Sequence, residues 1–180
     1  TYLSSRIWLH LVCIFLVGTF LLWNAGPATA QEQSNLVRVI NGRLQPGETH
    51  AYLLRDVRAG DRISLAMRAT SGNLDPVVGI MEANRSLAEV DAAYRADTAR
   101  LVAESDNIAL DLADLRQRYF MAWDDDGGDG YTALLEYTFP ASGDYRVIAG
   151  ASLSTLGRAT AGDYELHIGL NAPGATQAAG

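Results

Sequence analysis

The sequence has little from which to build thiol chemistry or a basic surface. Cys13 is the only cysteine among the 180 residues, and it lies in an apolar run near the N-terminus. Residues 14–180 therefore cannot form disulfides, thiolate zinc sites or cysteine nucleophiles. Lysine is absent, so all 14 basic residues are arginines, and against 21 acidic residues they leave a net charge of −7. This charge argues against binding to nucleic acid or to an anionic membrane surface.

Motifs of common enzymes are also missing. The chain contains no G-x-S-x-G, H-E-x-x-H or P-loop motif. His50 and His167 lie in strand-like patterns and are interpreted as ordinary strand side chains. Asp124 and Asp129 could form an acidic pair, but no aromatic sugar platform or remote second carboxylate accompanies them. We therefore expect a protein that is not an enzyme.

The first 30 residues are typical of an export signal. Arg6 precedes an apolar run over residues 7–23, and Ala28-Thr29-Ala30 forms a small-residue cleavage site before Gln31. The alternative is a retained membrane anchor, because the run is at the short limit for spanning a bilayer. The cleavage site favours a signal peptide over 1–30 and a periplasmic or extracellular location, with membrane contact only through an uncleaved N-terminal segment.

Short segments with strand periodicity fill most of residues 36–170. In one of them Ile63, Leu65 and Met67 alternate with polar or small residues, which is typical of a half-buried antiparallel strand. Turn residues separate the segments. The pattern predicts a mainly β protein, an antiparallel β-sandwich of about seven to eight strands. The strands are expected near 36–41, 49–56, 62–69, 76–82, 132–139, 144–150 and 162–170. Residues 171–180 are small and polar and are interpreted as a linker or tail.

Residues 86–120 form an insertion with a different pattern. They contain no glycine or proline, and their apolar residues have helical spacing. A single long helix is one interpretation, but Ser105-Asp106-Asn107 could cap a second helix, and we favour this α-helical hairpin. Its apolar stripe either packs on the protein's own sheet or serves as a protein-interaction surface.

An acidic, glycine-rich loop follows the insertion. Clustered carboxylates and flexible glycines are suited to Ca²⁺, although the loop lacks the spacing of an EF-hand. The alternative is a tight turn in which aspartates cap backbone N–H groups. The candidate calcium ligands are Asp124, Asp125, Asp126 and Asp129, with Asp75 as an additional ligand if its strand begins beside the loop.

Four short motifs in order resemble the bacterial pre-peptidase C-terminal domain. They lie at residues 42–48 (GRLQPGE), 72–76 (GNLDP), 124–128 (DDDGG) and 140–145 (PASGDY). The resemblance implies a jelly-roll-like β-sandwich that is an exported, non-catalytic accessory module. Some members of that family bind calcium or polymers such as collagen. This chain departs from the family pattern in two respects, the helical insertion and the position of the module directly after the signal.

Taken together, these features predict an exported, non-catalytic binding or accessory module with an unidentified protein or polymer ligand. One alternative is a structural or sensory N-terminal domain of a larger membrane or secreted protein, and another is a hydrolase.

Overall fold

The computed structural model describes residues 36–128, 132–153 and 158–172, apart from the side chain of Ala109. These residues form a mainly β structure with two helices, in agreement with the predicted fold class. The signal-peptide prediction for 1–30 and most of the predicted tail, 173–180, lie outside the described residues. The strands are β1 Leu36–Leu44, β2 His50–Val57, β3 Arg62–Ala69, β4 Pro76–Glu82, β5 Ala122–Asp124, β6 Thr132–Thr138, β7 Gly143–Ala151 and β8 Gly162–Leu170, and the helices are α1 Leu87–Glu104 and α2 Ile108–Tyr119.

The eight strands form two four-stranded antiparallel sheets. Sheet 1 has the order β1-β8-β3-β6, and sheet 2 has the order β2-β7-β4-β5. Successive strands alternate between the sheets, except that β4 and β5 are neighbours in sheet 2. This arrangement is that of a jelly roll, so the jelly-roll-like sandwich expected from the sequence is confirmed.

Side chains from both sheets form the main core. Leu65, Met67, Val78, Val147 and Leu166 belong to this buried cluster and have at most 1% of their surface exposed. Strands β3, β7 and β8 supply every second side chain to the cluster, which explains the period of two in their sequence. Burial of this apolar surface is the principal stabilising contribution to the sandwich.

Two local features fix the ends of strands in this core. The Tyr145 hydroxyl donates a 2.8 Å hydrogen bond to the carbonyl of Ala141, four residues upstream. This contact resembles the tyrosine corner of other β-sandwiches. In the pairing of β1 with β8, Gly42 lies opposite Tyr164, and a Cβ at Gly42 would lie 2.5 Å from the Tyr164 ring. Glycine at position 42 is therefore what allows the buried Tyr164 ring to lie against β1.

The insertion forms the predicted helical hairpin between β4 and β5. Ser86 accepts a hydrogen bond from the backbone N–H of Glu89 at the start of α1, and Asn107 accepts one from Leu110 at the start of α2, each at 3.4 Å. The caps therefore divide the insertion where the sequence predicted. No helix within the described residues has the length and apolarity needed to span a bilayer.

Candidate functional site

The helical hairpin lies on the outer face of sheet 2, and α1 is buried against the sheet at one position. There Val90 of α1 packs against Met81 of β4 and Ile148 of β7. Val90 is the only buried residue of the 18-residue helix α1. Packing of the apolar stripe on the protein's own sheet is thus confirmed, but over part of the sheet rather than all of it.

A cavity of about 430 Å³ lies between part of the hairpin and the sheet. Its floor is formed by small and aliphatic residues of β4 and β7, namely Val77, Gly79, Gly150 and Ala151. Its roof is formed by the hairpin residues Tyr94, Thr98, Val102, Leu112 and Arg116. The lining is mostly apolar, and lining residues such as Arg95 and Val102 are exposed, so the cavity reaches the surface. Its volume lies within the range of small-molecule sites.

Small side chains on the floor create this space. A Cβ added at Gly150 would have no heavy-atom neighbour closer than 4.0 Å, the carbonyl oxygen of Val77. At Gly79, by contrast, an added Cβ would lie 3.0 Å from the Phe120 ring, because Phe120 covers that part of the floor. The open part of the floor is therefore the backbone around Gly150.

Arg116 is the buried charged residue of the cavity lining, with 3% of its surface exposed. Its Nη1 donates to the carboxylate of Asp125, and its Nη2 donates to the Ser152 hydroxyl at 2.9 Å. The guanidinium carbon lies 4.7 Å from the centre of the Trp123 ring, which is a cation–π contact. Helix α2 is in this way attached to the acidic loop and to the end of β7.

Two lining residues have buried polar atoms without a hydrogen-bond partner among the described residues. They are Nε of Arg116 and Oγ1 of Thr98. A buried donor or acceptor without a partner normally destabilises a protein by about 1 to 3 kcal/mol. Both atoms are fully buried, so neither faces the space of the cavity.

The predicted calcium ligands have different environments. Asp124 Oδ2 accepts the backbone N–H groups of Gly127 and Leu134, both at 2.8 Å, so it closes the loop and connects it to β6. Asp125 pairs with Arg116, Asp126 is exposed, and Asp129 lies outside the described residues. In the part of the chain that the structure describes, no three acidic or histidine side chains are close enough to hold a metal ion. Calcium binding stays a prediction.

Asp75 lies near the loop, as the prediction required. Its pKa is raised from 3.8 to about 6, mainly by burial and in addition by the Asp126 and Asp125 carboxylates, while Arg116 opposes the shift. Its Oδ1 is buried without a partner among the described residues. The carboxylates of Asp125 and Asp126 are therefore close enough to Asp75 to interact with it electrostatically, and so is the Arg116 guanidinium.

The two histidines within the described residues, His50 and His167, form separate polar networks. His50 Nδ1 lies 2.7 Å from the Tyr164 hydroxyl, which also contacts the Tyr52 hydroxyl. Burial and the bond to Tyr52 raise the pKa of Tyr164 above its usual range, so this hydroxyl is a poor nucleophile. His167 Nε2 lies 2.8 Å from Glu165 on the outer face of sheet 1. Both histidines belong to strands, as the sequence indicated.

Sequence reasoning missed the cavity and its polar residues. Arg116 follows Leu112 by four positions and Thr98 follows Tyr94 by four, so both lie on the apolar stripe of their helix. A polar residue within such a stripe was the available signal. No sequence feature indicated the open floor, because Gly150 is one of many glycines in strand segments.

Comparisons with known proteins show low similarity. No family model and no curated protein matches the sequence. A periplasmic inhibitor of g-type lysozyme from Aeromonas hydrophila is 13% identical, with a TM-score of 0.45 over 74% of this chain and 85% of that chain. The pre-peptidase C-terminal domain of a Bacillus anthracis collagenase is 14% identical, with a TM-score of 0.42 over 74% and 89%. A surface-associated copper-binding protein of Methylomicrobium album BG8 is 11% identical, with a TM-score of 0.36 over 78% and 94%. At such low identities and TM-scores these likenesses assign neither a family nor a ligand to this chain.

Proposed function

We propose that this chain is an exported, non-catalytic binding module that takes up a small, mostly apolar molecule between the helical hairpin and sheet 2. The observation that carries the proposal is the cavity of about 430 Å³, whose lining is mostly apolar. Export is proposed from the signal-like sequence of residues 1–30. The helical insertion, first considered as a protein-interaction surface, acts in this proposal as the cover of the site.

The balance of contacts around α1 supports this role. A helix that only completes a core would bury a continuous stripe, whereas α1 buries Val90 alone. Aromatic contacts of Tyr94 with Tyr119 and Phe120, at 5.4 and 5.8 Å between ring centres, hold α1 on α2 and on the end of the hairpin. Helix α1 is therefore fastened to the hairpin more than to the sheet below it, which suits a cover that a ligand can displace.

Binding of an uncharged fluorescent probe, N-phenyl-1-naphthylamine, tests the proposal on the full chain. We expect its fluorescence to rise on addition of the protein, because the probe emits strongly only in apolar surroundings. The variant Gly150→Leu should abolish most of this rise, since its side chain would occupy the open floor of the cavity. Its thermal midpoint should be equal to or above that of the unchanged chain, because a strand glycine is replaced where there is space.

The matched control is Gly143→Leu, which lies at the other end of β7. A Cβ at Gly143 meets only the Tyr145 ring at 3.9 Å, outside the cavity lining. This variant should bind the probe like the unchanged chain. Equal fluorescence from all three chains would place the probe elsewhere, for example on the apolar run of residues 7–23, and would contradict the proposed site.

A further inference from the structure

Four strands form the edges of the sandwich within the described residues, β1 and β6 in sheet 1 and β2 and β5 in sheet 2. An edge strand exposes backbone N–H and C=O groups that can pair with another chain, and most proteins block such edges. Strand β5 has three residues, and a register shift interrupts β2. On β6 the Leu134 N–H donates to Asp124 at 2.8 Å, and the Thr132 carbonyl accepts from Gly128 at 2.9 Å. These three edges are therefore short, interrupted or partly covered.

Strand β1 has none of these protections. Its nine residues pair with β8 over their whole length without a register shift. Its sequence, LVRVINGRL, contains no proline and no acidic residue. Among the described residues, no side chain or loop forms a hydrogen bond with its backbone from the outer side. It is therefore the edge at which a further strand can be added.

The bonds of β8 show which backbone groups of β1 are free. The Asp163 carbonyl of β8 accepts from Thr70, which follows β3, at 2.8 Å, so Asp163 directs its backbone groups towards β3. The direction alternates along an antiparallel strand, so the next residue, Tyr164, directs its groups towards β1, where it lies opposite Gly42. The even-numbered residues of β1 therefore bond to β8. The residues whose N–H and C=O groups point away from the sheet are Val37, Val39, Asn41 and Arg43.

The side chains at this edge are apolar on both faces of the sheet. Val37 and Val39 are 61% and 50% exposed on the outer face. On the core side, Leu36 and Ile40 of β1 and Tyr52 of β2 pack against the core but are only partly buried. An added strand with apolar residues on both faces would cover these side chains, and their removal from water would stabilise the complex.

The charges of β1 indicate the kind of strand that fits. Arg38 and Arg43 are its charged residues. Arg43 pairs with Asp163 at 3.2 Å, whereas Arg38 has no ion pair among the described residues. An acidic residue opposite Arg38 would form a favourable cross-strand pair. A second copy of this chain fits less well, because its β1 has no acidic residue to offer and each chain has a net charge of −7.

We propose that β1 binds an extended segment of a partner protein as an added strand of sheet 1. The segment is apolar on both faces and carries an acidic residue opposite Arg38. Its backbone bonds to the outward-pointing groups of β1, which supply the affinity, while Arg38 supplies selectivity. This edge is separate from the cavity, whose lining contains no residue of β1, so the inference goes beyond the proposed function.

Two nine-residue peptides, matched to the length of β1, test this inference. In antiparallel register, STTTVVEVV places its glutamate opposite Arg38 and its valines opposite the apolar residues of β1, and STTTVVKVV places a lysine there instead. Fluorescence anisotropy of the labelled peptides is measured during titration with the full chain. We expect the glutamate peptide to bind about fivefold more tightly, the factor expected for a cross-strand ion pair. The net charge of the chain by itself would favour the lysine peptide.

Variants of β1 separate backbone pairing from contact with an apolar surface. Val39→Pro removes an outward N–H but no bond to β8, so the chain should fold and bind the glutamate peptide about tenfold more weakly. The matched control, Val39→Ala, shortens the same side chain and keeps the N–H, so its affinity should stay within about threefold. Arg38→Glu should reverse the preference between the peptides. Should Val39→Pro not fold, this reversal at the exposed Arg38 still decides the inference.

Equal binding of the two peptides to the unchanged chain would overturn the inference, and so would equal weakening by Val39→Ala and Val39→Pro. Sedimentation of the chain without peptide tests the other occupant. A concentration-dependent dimer that Val39→Pro abolishes would assign the edge to a second copy and contradict the proposal. Failure of both peptides to bind would also overturn it, without affecting the cavity, which N-phenyl-1-naphthylamine tests separately.

Discussion

Arg116 connects two features that the sequence presents separately, the acidic loop and the apolar stripe of the insertion. Its guanidinium contacts Asp125 of the loop, Ser152 at the end of β7 and the Trp123 ring, and it still contributes to the wall of the cavity. Clustered carboxylates repel one another unless a cation neutralises them. The structure supplies one from α2, which reduces the repulsion that made calcium attractive in the sequence.

Asp75 should make the stability of the fold depend on pH. Its pKa of about 6 in the folded chain exceeds its usual value of 3.8, so the folded state holds the proton more tightly than the unfolded state. Stability from this residue is therefore greatest below about pH 4, falls between about pH 4 and 6, and stays low above about pH 6. Asp75→Asn removes the charge that burial disfavours.

We expect Asp75→Asn to be more stable than the unchanged chain at pH 7 by about 1 to 2 kcal/mol. This is less than the pKa difference alone would give, because the carboxylate is partly in contact with water. Urea unfolding at pH 4 and pH 7 measures the difference, which should largely vanish at pH 4. An equal difference at both pH values would mean that Asp75 titrates normally. Comparing the two chains at each pH cancels the titration of the other carboxylates.

The positions of most strands can be predicted from the sequence. Which of the two sheets each strand joins cannot be predicted in this way. Seven strands were expected because alternation and turn residues mark them locally. Strand β5 was missed because Ala122–Asp124 has three residues, too few to show a period. Its pairing with β4 in sheet 2, opposite Val78, Gly79 and Ile80, is set by the hairpin that returns the chain to that edge. Pairing between strands that an insertion separates produces no pattern in the sequence of either strand.

The hairpin was predicted from caps and periodicity, while the space beneath it was not. Local signals such as Ser86 and Asn107 fix where each helix begins. The distance between helix and sheet depends instead on which side chains meet across it, and the floor residue Gly150 leaves part of that distance unfilled.

Removal of the helical hairpin tests whether the β-sandwich can fold without it. Replacing residues 85–120 by a short Gly-Ser turn should leave a sandwich that unfolds cooperatively, because the inter-sheet core contains no hairpin side chain. The thermal midpoint should fall, since Met81 and Ile148 lose their cover. Binding of N-phenyl-1-naphthylamine in the cavity should disappear. Circular dichroism during heating measures the transition, and a gradual loss of signal without a midpoint would show that the sandwich requires the insertion.

At the scale of the whole molecule, we propose calcium as a second ligand, bound at the acidic loop. The mutual influence of Asp75, Asp125 and Asp126 supports the proposal, since a nearby cation would relieve the effect of burial on Asp75. Calcium would have to share Asp125 with Arg116. A ligand present at a hundred times its dissociation constant stabilises the folded state by about 2.7 kcal/mol.

Thermal unfolding of the full chain in millimolar Ca²⁺ and in chelator measures this effect. We expect the midpoint to rise by several degrees with calcium and by less with Mg²⁺, which prefers smaller octahedral sites. Asp126→Asn should remove most of the rise. In chelator its midpoint should be equal to or slightly above that of the unchanged chain, because loss of the exposed Asp126 charge relieves its repulsion of Asp75. An unchanged midpoint in calcium would leave the loop as a turn whose charge is balanced by Arg116.

The pairing of β1 with β8 also determines how the fold responds to force. These strands are antiparallel, and Leu36 lies directly opposite Leu170 at the points where the chain enters and leaves the sandwich. Tension that separates those two residues would open the backbone hydrogen bonds of the pair one after another, from Leu36 towards Leu44, rather than load them together. A tether that pulls on both ends should therefore unzip sheet 1 at low force.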